Sequence, residues 1–200
     1  MGKMKKALIK FRFWFLEFVD PVQRFISWCS AGDCAATAEW VREIEMKGEP
    51  GDIFVCYQRW NLSNIFIPGF YNHAAIMTGP NQIVEAEPKP GVRENDLIDF
   101  VMKKDAIALI RPRRVTSQDR FNASQKALDF VGAKYDRTFV VGGKSFFCSE
   151  VVYEAYKKTG WSRHFTRRDT FGALTVTPQD FRDACNNTGK AELILEFGRK

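Results

Sequence analysis

Histidine is scarce in this chain: two in 200 residues, His73 and His164. Cysteine is present but unpaired in number. Cys29, Cys34, Cys56, Cys148 and Cys185 make five, at irregular spacing and without a C-x-x-C pair. An odd, irregular set argues against a secreted disulfide framework and for a reducing compartment. With so few histidines, a structural zinc site is not expected. No stretch reaches the roughly 18 uninterrupted apolar residues of a membrane-spanning helix. The N-terminal run "MGKMKKALIKFRFWFLEFVD" is broken by Lys10, Arg12 and Glu17, and no small-residue cleavage site follows it, so a cleavable signal peptide is not expected. Internal repeats, low-complexity linkers, zinc-finger spacings, RNP-like aromatic motifs and long Lys/Arg blocks are all missing, which leaves no specific nucleic-acid partner. The expected location is the cytoplasm or the inside of a larger particle.

Apolar residues make up 45% of the chain, and 18 of its residues are Phe. A chain of this size can bury one real core. Net charge is +6 with a pI near 9.1, a bias toward anionic partners such as cell-wall polymer or lipid.

Met4, Leu8, Phe11, Phe15 and Phe18 recur at helical spacing, and Val22, Phe25 and Cys29 continue the stripe past Asp20-Pro21. Lys3, Lys5, Lys6, Lys10 and Arg12 flank it. Residues 3–29 are therefore a candidate core helix, docking stripe for a protein assembly, or membrane-surface helix. Residues 1–47 are expected to form an N-terminal helical extension and residues 48–200 the main domain. In that domain "AATAEWVREIEMKG" predicts the helix leading into it. "IFVCY", "HAAIMT", "QIVEAE", "AIALIRP" and "AELILEF" predict strands. "SQDRFNASQKALDFVGA", capped by Ser117, predicts a helix. So does "KSFFCSEVVYEAYKKTG", beginning near Cys148 and closing at Gly160. "TPQDF" predicts a helix with Thr as cap and Pro in the first turn. The class is α+β.

Two of these segments carry chemistry. Cys148 falls at a helix start, where unpaired N–H groups favour a thiolate and can hold an oxyanion. Such a Cys is also a place for a small buried hydrophobe. His73 opens a strand, and imidazole is the base a thiol nucleophile needs. The turn at "GPN" offers a third group. A three-residue loop, Gly79 to Asn81, sets Ala75 opposite Glu85 and His73 opposite Glu87, with both glutamates on the histidine face. A two-residue loop would send them to the other face. His164, Cys56 and the cluster Arg111, Arg113 and Arg114 are expected to be a loop histidine, a core cysteine and a solvated face. Glu150 is expected to be a first-turn acid favoured by the helix dipole.

The order "PGDIFVCY … YNHAAIMTG … QIVEAEPKPGV … AIALIRP … GAKYD … FFCSEVVYEAY" resembles the circularly permuted NlpC/P60 group of papain-like cysteine hydrolases, with its YiiX-like and lecithin-retinol-acyltransferase types. The likeness runs from about Pro50 to Gly160. It implies a permuted papain-like fold, an antiparallel sheet packed against helices, in which His precedes Cys. It implies Cys148 as nucleophile, His73 as base and Glu85 as the orienting residue, ahead of Glu87. Tyr135 and Ser149 would bind substrate, and no metal or other cofactor is required. The implied activity is amide cleavage through a thioester, in peptidoglycan stem peptides. Lipid acyl transfer or thioester hydrolysis at a membrane surface is the alternative, and carriage in a phage or envelope particle a third reading.

Overall fold

The computed structural model describes residues 34–59, 67–137, 139, 141–165, 168–170, 173–186 and 189–199. The apolar stripe over 3–29 lies outside them. Its centre is one six-stranded antiparallel sheet in the order β4-β3-β2-β1-β5-β8. The strands are β1 (Ile53–Tyr57), β2 (His73–Gly79), β3 (Gln82–Glu87), β4 (Gly91–Asp96), β5 (Ala106–Pro112) and β8 (Ala191–Phe197). A separate pair, β6 (Arg168–Thr170) and β7 (Ala173–Thr175), forms a small hairpin.

The strands look apolar throughout because both faces are covered. Alternate residues go to opposite sides, as the period of two requires. Ile53, Val55, Ala74, Ile76, Val84, Ala108 and Ile110 face one cluster. It is completed by α3 (Ser117–Leu128), α4 (Cys148–Ala155) and α5 (Pro178–Asp183). Phe54, Cys56, Ala75, Met77, Ile83, Ile107 and Leu109 face the other, with α1 (Ala38–Lys47) and α2 (Leu97–Val101) over them. Helix α1, which the sequence assigns to the extension, buries Val41 and Ile44 in this second cluster.

The strands predicted from pattern appear at or within a residue of their expected ends. The helices differ more. Thr116, not Ser117, caps α3: its hydroxyl accepts from the Asp119 N–H while the Asp119 carboxylate reaches back to the Thr116 N–H. Helix α4 ends at Ala155 instead of continuing to Gly160, and a short 3-10 turn, Trp161–His164, follows Gly160. The Thr177 cap and Pro178 at the start of α5 are as expected. Strand β4 and helix α2 had no counterpart in the sequence reading.

The β2–β3 turn decides the site. The chain turns over two residues, Pro80 and Asn81, since Gly79 pairs with Gln82. A bulge between Met77 and Gly79 then adds one residue to β2 and restores the pairing of Ala75 with Glu85. The expected register is reached with a shorter turn, because the bulge compensates for the residue missing from the loop.

Two further ties fix the frame. Asp52 is fully buried, and Arg111 grips it with two hydrogen bonds, Nε to Oδ1 at 2.9 Å and Nη2 to Oδ2 at 2.7 Å. Arg111 is thus a buried-pair partner, not part of a solvated face. Gly51 adopts φ +94 with the Arg120 backbone against it. Its carbonyl accepts a 2.5 Å hydrogen bond from the Tyr156 hydroxyl, tying the end of α4 to the strand entry.

Candidate active site

His73 is the first residue of β2, and α4 packs along that strand with Cys148 as its own first residue. Each of the two side chains favours the charged form of the other. The other end of the imidazole is held by Glu85: His73 Nε2 and Glu85 Oε2 lie 2.8 Å apart. That leaves Nδ1 for the thiol. Glu85 does not face His73 directly but sits one pair along on the same face. A glutamate side chain spans such a diagonal. Glu87 turns instead to Arg93, 2.9 Å from its Nη2.

The Glu85 carboxylate is buried and held from three sides. Oε1 accepts from Arg93 Nη2 and Asn95 Nδ2, both at 2.9 Å, while Oε2 meets the histidine. Arg93 and Asn95 come from β4, in register beside β3. They are the site residues that sequence reasoning missed. Nothing in "VREND" marks a strand, since Val92 is followed by four polar residues and "PKPG" before it reads as a breaker. Phe100 of α2 lies against the His73 ring, with centroids 6.2 Å apart. Lys104, nearly buried, stacks over Phe100.

The electrostatics favour separated charge. Burial opposes ionisation of all three groups. Its effect on the imidazole is outweighed by the hydrogen bonds to Cys148 and Glu85, which raise His73 to about 9. For Glu85, burial is outweighed by the His73 hydrogen bond and charge, with help from Lys104 and Arg93, and the carboxyl falls to about 2. For Cys148, burial is again overcome by His73, and then by the backbone N–H groups of Ala74 and Ser149, which lower the thiol below its ordinary value. The arrangement favours a thiolate beside an imidazolium backed by a carboxylate. Buried Cys56, by contrast, is pushed up to about 12 by burial and stays a neutral core thiol.

Beside Cys148 lies a small groove lined by Ile67, Pro68, Phe139, Phe147, Val176 and Pro178 together with the Ser149 and Thr175–Thr177 region. Among the described residues no charged side chain lines it. Ser149 borders the groove, but its hydroxyl donates to the Val176 carbonyl at 2.6 Å. Tyr135 does not line it; its ring meets Phe139, which does. Glu150 is the first-turn acid of α4, as expected, and it is fully buried.

An antiparallel sheet with His on a strand and, later in the chain, Cys at a helix start is the permuted papain-like arrangement. A family model described as a permuted papain-like amidase, YaeF/YiiX, C92 family, matches residues 47–190. The chain belongs to that family. It is also similar in fold to the crystal structure of the metalloprotein YiiX from Escherichia coli O157:H7, with a TM-score of 0.59 and 16% identity over 75% of this chain and 98% of that one. No curated protein matches. Among the described residues no three His, Cys, Asp or Glu side chains are placed together to hold a metal ion. Nor, among the described residues, is any helix long and apolar enough to cross a membrane.

Proposed function

We propose that this amidase-family chain is a cysteine hydrolase with Cys148 as nucleophile, His73 as base and acid, and Glu85 as the group that orients the imidazole. The observation that carries the reading is the series Cys148, His73 and Glu85, in which the imidazole lies 2.8 Å from the carboxylate and lowers the thiol below its ordinary value. The thiolate attacks the amide carbonyl carbon, and the carbonyl π electrons move to oxygen. The first N–H groups of α4, which have no carbonyl within the helix to bind, are the donors for that oxyanion. The imidazolium gives its proton to the leaving nitrogen as the C–N bond breaks, leaving a thioester. Water, deprotonated by His73, then attacks the thioester and frees the thiol and the acid.

The substrate we infer is a peptide amide in peptidoglycan stem peptides, which the basic chain suits. The uncharged, largely apolar groove supports a second reading, an acyl lipid cleaved or transferred at a membrane surface. Residues 3–29 then serve either as a docking stripe for a larger assembly or as a surface anchor. Incubation of the full chain with peptidoglycan fragments and, separately, with phospholipid vesicles, read by mass spectrometry, tests both. Cleaved stem peptide supports the first, and released fatty acid or a transferred acyl group the second. Equal turnover by Cys148→Ala would refute the site itself.

A further inference from the structure

Glu150 is two residues from the nucleophile and fully buried. Its Oε1 accepts the Gly142 N–H at 2.7 Å, and the backbone at Phe147 also favours the charged carboxylate. Its Oε2 is buried and has no hydrogen-bond partner among the described residues. Burying a half-satisfied carboxylate is destabilising. Neither the proposed chemistry nor the capping of α4 requires the charge, since a glutamine at this third helical position could also reach back.

What the carboxylate holds is a wall of the groove. Tyr135 and Phe146 pair as an isolated bridge, with Asp136 N–H bonded to the Phe146 carbonyl at 3.1 Å and Phe146 N–H to the Lys134 carbonyl at 3.0 Å. This closes the base of a loop. Gly142, at φ +109, ties its far side to Glu150. Between them Phe139 takes φ +56, a left-handed conformation uncommon for an aromatic residue. Its ring lies 5.3 Å from that of Phe147 and lines the groove next to Cys148.

We propose that Glu150 is a positioning residue for the substrate groove: through Gly142 it fixes the loop that sets Phe139 as the wall beside Cys148, and so governs which acyl groups reach the thiol. This rests on Cys148 being the nucleophile. Burial raises the carboxyl to about 7, opposed by the Gly142 N–H and reinforced by Asp136 at the loop base and Glu154 on the same helix. The ionised form binds the Gly142 N–H more strongly, so the wall is held most firmly above neutral pH.

The test needs no natural substrate. Labelling of Cys148 in the full chain is followed by peptide mass spectrometry with two reagents, iodoacetamide and its bulky apolar N-benzyl analogue. The small reagent reads the thiol; the ratio of bulky to small reads the groove. Glu150→Ala is expected to change the ratio about tenfold, the scale of losing part of an aromatic contact, with the small-reagent rate within about twofold of the parent. Phe139→Ala should change it alike, and the double variant no further. Glu150→Gln, which keeps an acceptor for Gly142, should restore the ratio and remove its pH dependence near 7. An unchanged ratio in Phe139→Ala, or additive effects in the double variant, overturns the proposal even if Glu150→Ala fails to fold. A Cys148 inert to both reagents overturns the nucleophile reading and this inference with it. A reactive Cys148 with a ratio indifferent to Glu150 overturns this inference alone.

Discussion

Glu85→Gln probes the site with the least change of shape. Gln keeps an oxygen for Arg93 and Asn95, which hold Oε1 at 2.9 Å. It then presents an amide N–H₂ to His73 Nε2, where the carboxylate accepted. Two consequences follow. The imidazolium loses its counter-charge. In the neutral ring, Nε2 becomes the acceptor and the proton moves to Nδ1, facing the sulfur, the wrong tautomer for a base. His73 stands at about 9, and the distance from its ordinary 6.5 corresponds to about 3 kcal/mol of preference for the charged ring. Burial works against that preference. Of the two hydrogen bonds that produce it, the one to Cys148 is larger and that to Glu85 second. Losing the second of these predicts a fall on the order of one pH unit in His73. Because thiolate and imidazolium stabilise each other, Cys148 rises in turn. The assay is the rate of Cys148 alkylation by iodoacetamide from pH 4 to 10. Glu85→Gln should shift the upper inflection down by about one unit. A profile superimposable on the parent's would refute the idea that Glu85 sets the charge state of the pair.

Other perturbations test the frame and its pH response. Arg111→Ala leaves Asp52 buried without its bidentate partner and should destabilise the fold by about 3–5 kcal/mol in urea titration, whereas joint replacement of both by apolar residues should recover most of the loss. Gly51→Ala meets both the positive φ and the Arg120 carbonyl, 2.4 Å from the new Cβ; a loss of about 2 kcal/mol or more in the same titration is expected. Glu85, lowered to about 2, contributes stability that is present above its unfolded value and lost as pH falls through 2. The acid limb of the melting profile should therefore flatten in Glu85→Gln. Deleting residues 1–30 should leave Cys148 labelling intact and abolish flotation with anionic liposomes or binding to a partner assembly. Retention of both would assign the stripe to the protein's own core.

Legibility followed the physics of each element. Strands β1, β2, β3, β5 and β8 stand out because they are short, apolar and bounded by turn residues. Cys148 could be placed because the spacing of Val151, Val152 and Ala155 shows a helix beginning there. The partnership of His73 and Glu85 was harder, since it depends on one residue of register. Counting loop residues could not settle it: the turn is of the length that would have put Glu85 on the wrong face, and a bulge near Thr78 reverses that outcome. A bulge has no sequence signature when both faces of the sheet are apolar, because sliding by one residue exposes nothing polar.

The same limit explains why the support around Glu85 was hidden. Arg93 and Asn95 sit on a strand whose pattern, "GVREND", has no apolar–polar alternation and follows a Pro-Lys-Pro segment. As a free segment it has little reason to be a strand. It becomes one because β3 presents an open edge, and because Glu85 needs donors once it is buried. An ionised carboxylate at 1% exposure would otherwise carry a desolvation penalty of several kcal/mol. The paired strand supplies two donors from directly beside it. The requirement therefore runs backward through the chain: the histidine calls for a carboxylate, the carboxylate for two donors, and the donors for a fourth strand that local propensity does not favour. Local pattern reports what a segment can do alone, and β4 exists for what it does to its neighbour.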